Sequence, residues 1–176
     1  AALSQPYYCR HDYAHLQRGE VSAFLKTYYH QLTALQDRET HTFWEHYWHA
    51  SQHKTHEEAW FLMQTRWMLW REDGNTLHLL SAIPRQWLAN GQEIRLVGVK
   101  SYFGPLSLHV RSDLRRGRIV AELELPDDSR PEKVLLRLPA PDGRHATTCQ
   151  GGEYDPARET VAVRPDQGHI LIKLCF

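Results

Sequence analysis

The spacing of apolar residues changes at Gly74, and this change divides the chain of 176 residues into two parts of different architecture. Before Gly74, apolar residues recur every three or four positions, as along one face of an α-helix. After it they alternate with polar residues, as in a strand with one buried face. We therefore expect an α+β protein, with a short helical segment over residues 1–75 and an all-β sandwich domain over residues 76–176.

Two helices are predicted in the first part. Between Glu20 and Leu35 the apolar residues fall on one helical face, so this helix should bury one side. A second helix should begin at Thr55, which is followed three residues later by Glu58 in a capping-box pattern, and its run AWFLMQTRWMLWRED ends at Gly74. This run is apolar nearly all round, which predicts a position inside a larger helical assembly.

Seven or so short strands are predicted in the second part. Turn-forming stretches such as Pro141-Asp142-Gly143 separate several of them, an arrangement typical of a β-sandwich. The predicted strands are Leu77–Ile83, Glu93–Val99, Pro105–Val110, the run GRIVAELELP, Lys133–Leu138, Thr160–Val163 and His169–Phe176.

Composition argues against several partners. Twenty-one basic and twenty-one acidic residues cancel, and no run of Lys or Arg offers a footprint for phosphate backbones, so nucleic acid is not expected. No apolar run approaches the roughly 20 residues that span a bilayer, so a membrane is not expected either. Cys9, Cys149 and Cys175 are far apart and odd in number, which predicts free thiols.

The segment TFWEHYWHASQHKTHEEAW, from Thr42 to Trp60, concentrates the groups that are suited to chemistry. It holds four histidines and three carboxylates, and eight of the twelve histidines of the chain lie at or before His56. The segment leads into the predicted helix at Thr55, whose first turn presents unpaired N–H groups and a partial positive charge. The sequence therefore predicts a site for polar ligands at this loop.

Glu45 is the leading candidate for a general acid. It stands between Trp44 and His46, and apolar ring surface with a hydrogen-bonding neighbour is the environment that raises the pKa of a carboxylic acid. The alternative is a glutamate in a surface ion pair. Glu57 is the candidate for the second catalytic carboxylate, because its side chain points about 100° away from that of Glu58, to which we assign the capping role.

The histidines of the segment allow a metal-site interpretation. Their spacing of three, four and three would line one face of a continuous helix and could present imidazoles to zinc. No HExxH pattern is present, and the helix start at Thr55 interrupts the row. We therefore predict no metal and no cofactor, and a histidine-based metal-dependent hydrolase is an alternative. The four residues are His46, His49, His53 and His56.

Aromatic rings beside histidines also suit a sugar site. The rings stack on C–H faces of a sugar while imidazoles and carboxylates bond its hydroxyl groups. We assign substrate binding to Trp44, His46, His53 and His56. Trp60 is expected in the core instead.

Four stretches of the chain resemble the C-terminal end of bacterial glycosidases that are built on a six-hairpin (α/α)6 barrel. The resemblance covers essentially the whole chain and is strongest around LHLLSAIPRQWL and SYFGPLSLHVRS. It implies that the helical segment is the last portion of such a barrel, with one wall of its sugar cleft, and that the β-sandwich is an accessory domain. The stretches are YYCRHDYAHLQRGEV, RETHTFWEHYWH, HKTHEEAWFLMQTRWMLW and DGNTLHLLSAIPRQWLANGQEIRLVGVKSYFGPLSLHVRS.

The resemblance implies a carbohydrate substrate and a fragment of a glycoside hydrolase. A barrel of this kind needs about twelve helices of roughly 11–12 residues, and the chain has room for two or three, so we expect the isolated chain to be nearly inactive. Its partner would be the missing N-terminal barrel portion or a second chain. The alternative from another class is a non-catalytic carbohydrate-binding or structural accessory module.

Overall fold

A computed structural model describes residues 11–45 and 51–176 of the chain. The chain divides into two compact units, Ala1–Leu69 and Trp70–Phe176. In the described residues the first unit is helical and the second is built from strands. The structure is therefore α+β with a sheet-rich second part, as the change of period predicted.

Within residues 11–45 and 51–69 of the first unit there are three helices, which are α1 (His11–Gln17), α2 (Val21–Leu35) and α3 (Thr55–Leu69). Phe24, Tyr28 and Leu35 are buried along one face of α2, which confirms the one-sided burial predicted from their spacing. The rings of Tyr28 and Phe61 stack at a centroid distance of 5.4 Å, and Phe43 lies 5.0 Å from Phe61. Aromatic contacts thus form much of the core between α2 and α3.

Helix α3 ends at Leu69, so the prediction that it continues to Gly74 is wrong. The next residues form strand β1 (Trp70–Asp73), which pairs antiparallel with β2 (Thr76–Leu79). Gly74 lies between these two strands with a φ of +56°, a conformation that glycine adopts without steric cost. Sheet pairing overrides the helical pattern here because the four residues of β1 pair in register with β2, which supplies backbone hydrogen bonds along that side of this edge strand.

The second unit contains two five-stranded sheets, with the strand orders β1-β2-β6-β9-β8 and β3-β4-β5-β10-β7. Neighbouring strands are antiparallel except for β2 and β6, which are parallel. The remaining strands are β3 (Glu93–Ser101), β4 (Gly104–Asp113), β5 (Arg118–Glu124), β6 (Lys133–Arg137), β7 (Thr148–Gln150), β8 (Glu153–Asp155), β9 (Thr160–Val163) and β10 (His169–Cys175).

One face of each sheet is apolar and buried, which gives the unit its sandwich-like character. In β5 the side chains of Ile119, Ala121 and Leu123 are fully buried while the residues between them are partly exposed, as the alternation predicted. The first sheet contributes buried residues from β2, β6 and β9. They are Leu77, Leu79, Val134, Leu136 and Val161.

Two of the three cysteines lie on neighbouring strands of the second sheet. Cys149 in β7 stands opposite Leu174 in β10, and Cys175 is the next residue along β10. Successive side chains of a strand point to opposite faces, so the two thiols face away from each other. Cys149 and Cys175 are free thiols, as predicted, and Cys9 lies outside the described residues.

Candidate active site

The loop that carries Glu45 is held to the end of α2 and to the start of α3 by backbone hydrogen bonds. The N–H of Trp44 donates to the carbonyl of Leu35 at 2.9 Å, and the N–H of Lys54 donates to the carbonyl of Phe43 at 3.1 Å. The N–H of Glu45 donates to the carbonyl of Ser51 at 2.9 Å. The main chain at Glu45 is thus fixed relative to both helices.

The side chain of Glu45 forms an ion pair with Lys54. Nζ of Lys54 lies 3.1 Å from Oε2 of Glu45, and the two side chains are 30% and 21% exposed, respectively. The alternative interpretation of Glu45 predicted a glutamate in a surface ion pair, and Glu45 does form an ion pair. This pair is half-buried, so screening by water and salt is weaker than for a fully exposed pair.

Glu57 lies in the first turn of α3 and its side chain is completely buried. Neither carboxyl oxygen has a hydrogen-bond partner among residues 11–45 and 51–176. Burial without compensating bonds disfavours the charged form, and the charge of Glu45 acts in the same direction. Together they raise the pKa of Glu57 from 4.5 to about 7. The positive end of the helix dipole would favour the anion, and burial outweighs it.

Glu45 is therefore ion-paired with Lys54, and Glu57, on which the charge of Glu45 acts, has a pKa near neutral pH. An acid whose pKa lies close to the working pH is suited to donate a proton in a reaction and to recover it afterwards. Both residues were candidates from the sequence, and the structure brings their charges close enough to interact.

The remaining predicted site residues differ in their exposure and in their distance along the chain from the two carboxyl groups. Trp44 is half-buried next to Glu45, whereas His53 and His56 are exposed, and His56 stands in the first turn of α3 beside Glu57. His53 precedes the helix and has a φ of +56°. His46 lies outside the described residues.

The capping role predicted for Glu58 is wrong. Helix α3 begins at Thr55, and the carbonyl of Lys54 accepts the N–H groups of Glu57 at 3.0 Å and Glu58 at 3.2 Å. The Glu58 N–H that a capping box would direct to the Thr55 hydroxyl is thus bonded to the backbone. Trp60 packs edge-to-face on Trp67 at 5.4 Å, in line with its expected packing role.

The row of four histidines does not lie on one helix, because His53 precedes the first residue of α3 and His56 follows it. His49, like His46, falls in the segment that the structure does not describe. Among the described residues, no group of three His, Cys, Asp or Glu side chains could hold a metal ion.

A second buried polar cluster was missed by the sequence interpretation. Gln64 Nε2 donates to Gln31 Oε1 at 2.8 Å, and both side chains are buried, as is that of Asp12. Burial raises the pKa of Asp12, and the nearby Gln64 side chain opposes this rise. A signal was present, because Gln31 continues the stripe of Tyr28 and Leu35 at helical spacing.

No protein-family model matches the chain, and no curated protein matches it. Among the helices in the described parts of the chain, none is long and apolar enough to cross a membrane.

Proposed function

We propose that the helical unit carries the acid–base carboxyl pair of a glycoside hydrolase. Hydrolysis of a glycosidic bond ordinarily uses two carboxyl groups, one protonated and one ionised, in the same site. The observation that carries the proposal is the carboxyl group of Glu57, which is fully buried, has no hydrogen-bond partner in the described residues and has a pKa of about 7. The ion-paired carboxylate of Glu45 supplies the second group.

We propose different roles for the two carboxyl groups on the basis of their environments. We assign Glu57 as the proton donor to the leaving glycosidic oxygen because burial raises its pKa, and its buried carboxyl oxygens must become accessible to the substrate for this transfer. Glu45, which is ion-paired with Lys54, is the carboxylate that we assign to activate water or to attack the sugar directly. The sequence alone favoured Glu45 as the general acid, with activation of water as its other role, and we now propose the second of these roles for it because Glu57 is the buried carboxyl group.

Substrate binding falls to the residues that flank the pair. We assign sugar stacking to Trp44, which is half-buried next to Glu45, and bonds to hydroxyl groups to His53 and His56, which are exposed at the start of α3. His46 retains its predicted role as a hydroxyl ligand. The proposed substrate is an oligosaccharide.

We further propose that the helical unit forms part of a larger (α/α) barrel, completed by an N-terminal barrel portion or by a partner chain. Helix α3 supports this, since Leu62 and Met63 on its surface are 67% and 41% exposed. Large apolar side chains at neighbouring exposed positions indicate a surface that packs against something else.

The test measures hydrolysis of aryl-glycosides and oligosaccharides by this chain and by the complete product of the reading frame that encodes it. Glu57→Gln and Glu45→Gln are each expected to lower kcat by at least ~100-fold, the usual contribution of a general acid or base. Glu58→Gln, in the same helical turn, is the matched control and should leave kcat within about twofold. Hydrolysis that survives Glu57→Gln would overturn the proposal.

The same variants separate a binding module from an enzyme. A non-catalytic module would bind oligosaccharide without cleaving it, would lose binding in Trp44→Ala and would keep it in Glu45→Gln. A hydrolase should keep oligosaccharide binding in Glu57→Gln while turnover is lost, because this substitution preserves the shape of the side chain.

A further inference from the structure

We propose that Lys54 is a positioning residue of the acid–base pair, which holds the Glu45 side chain in an ion pair and thereby weakens the effect of its negative charge on Glu57. The catalytic meaning of this inference rests on the proposed hydrolase function. The charge arrangement itself is a property of the folded protein and can be measured without a substrate.

The side chain of Lys54 acts on Glu45 through a short contact. Its Nζ atom lies 3.1 Å from Oε2 of Glu45, and both groups are half-buried. At this distance and with restricted solvent, an ammonium group stabilises the negative charge of a carboxylate more than on an open surface.

The backbone of Lys54 joins the two halves of the site. Its N–H donates to the carbonyl of Phe43, two residues before Glu45, and its carbonyl accepts the N–H of Glu57. One residue therefore connects the loop that carries the ionised carboxylate with the helix that carries the acid. Since both connections are made by main-chain atoms, replacing the side chain removes the charge and leaves these hydrogen bonds in place.

Burial has the largest effect on the pKa of Glu57, and the charge of Glu45 adds to it. In the described part of the chain, burial and the field of Glu45 are the influences that raise the pKa of Glu57. The ammonium of Lys54 partly cancels the field of Glu45, because the two opposite charges are in contact. Without it, the full charge of Glu45 would act on Glu57 and hold the proton more tightly.

The decisive experiment follows the carboxyl carbon of Glu57 by NMR as a function of pH in the full chain. In Lys54→Met the titration midpoint of Glu57 should rise above about 7, and in Glu45→Gln it should fall toward 4.5. Lys54→Arg should restore the midpoint, because it keeps the positive charge. Lys26→Met, at an exposed lysine in α2, is the control and should change nothing.

A merely structural role for Lys54 gives the opposite sign. If Lys54→Met opened the loop, water would reach Glu57 and its midpoint would fall toward 4.5, which would overturn the inference; so would an unchanged midpoint. If the midpoint rises as expected but no sugar is cleaved by any form of the protein, the hydrolase function fails and the role of Lys54 stands. If sugar is cleaved, the basic limb of the pH–rate profile should move upward in Lys54→Met together with the midpoint.

Discussion

The guanidinium group of Arg137 lies 2.9 Å from the carboxylate of Glu159, and each side chain is only 8% exposed. Arg85 donates to the other oxygen of the same carboxylate, and Arg137 also donates to the carbonyl of Ile83 at 3.1 Å. Glu159 thus joins β6 to the segment Ile83–Arg85, whose last residue begins a 3-10 helical turn (Arg85–Leu88). This arrangement places a buried charge network in the second unit, where its parts compensate one another.

Glu159→Gln should strongly destabilise the second unit. Removing the negative charge leaves Arg137 buried without its counter-ion, and breaking a buried pair in this way typically costs about 3–5 kcal/mol. Glu122→Gln is the matched control, because Glu122 is 37% exposed in an ion pair with Arg111 and its loss should cost less than about 1 kcal/mol. Urea denaturation of both variants gives the comparison. Equal losses would show that burial adds nothing to the Glu159 network.

The fold was predictable where an element is long enough to show a period. Helix α2 and the longer strands, such as β5 and β10, follow their apolar spacing closely. Strands β7 and β8 contain three residues each, too few to establish an alternation. The sequence of β1 continues the apolar spacing of helix α3, so local pattern predicts a helix there. The residues form a strand because they pair with β2.

The residues of the candidate site were predictable, but their protonation was not. Glu45 and Glu57 stood out because they lie beside aromatic residues and a helix start. Local sequence suggested that Glu57 would be favoured as an anion by the helix dipole. Its complete burial depends on packing between helices, which no local pattern reveals, and the same is true of the contact between Lys54 and Glu45.

Burial of Glu57 should make the unfolding free energy of the helical unit fall as pH rises. The folded protein binds the Glu57 proton more tightly than the unfolded chain, so this contribution is fully present below pH 4.5 and is lost as pH rises through about 7. One pH unit corresponds to about 1.4 kcal/mol, so the rise from 4.5 to about 7 corresponds to about 3 kcal/mol.

Glu57→Gln should remove this pH dependence and leave the variant more stable than the original protein at pH values above about 7. Urea denaturation over a pH series, followed by helical circular dichroism, measures the difference. Glu58→Gln should keep the slope of the original protein. A slope that is unchanged in Glu57→Gln would mean that another group binds the proton.

His78 should give a pH dependence of the opposite sign in the second unit. Arg71 donates to Nδ1 of His78 at 3.2 Å, which requires a neutral imidazole. Burial, with the charges of Arg71 and Lys133, lowers the pKa of His78 from 6.5 to about 4, and Asp73 opposes them. The unfolded chain therefore binds this proton more readily, and stability should be lost as pH falls from 6.5 through about 4.

His78→Gln should reduce the fall in unfolding free energy at acid pH, because the side-chain carbonyl of glutamine can accept the hydrogen bond from Arg71 and does not titrate. His169→Gln, at an exposed position of β10, is the control and should leave the curve unchanged. Urea midpoints of the three proteins between pH 4 and 7 decide the question. If the urea midpoint falls equally between pH 7 and pH 4 in the original protein and in His78→Gln, His78 is not the cause of the fall.

Gly151 permits the chain to pass from β7 in one sheet to β8 in the other. It has a φ of +85°, and a Cβ atom there would lie 2.0 Å from the carbonyl oxygen of Leu171. Gly143 has a similar φ of +80° but open space around the same position. The two glycines therefore share the cost of a left-handed backbone and differ in the clash.

Gly151→Ala should destabilise the second unit more than Gly143→Ala does. The left-handed backbone costs an alanine about 1–2 kcal/mol at either position. The clash with backbone should add about 1–3 kcal/mol or more at Gly151, because the Leu171 carbonyl belongs to strand β10 and cannot move independently of the sheet. Urea denaturation of the two variants isolates this difference. Equal losses of unfolding free energy would show that β10 shifts to accommodate the added methyl group. The connection from β7 to β8 would then require only the backbone conformation that glycine allows.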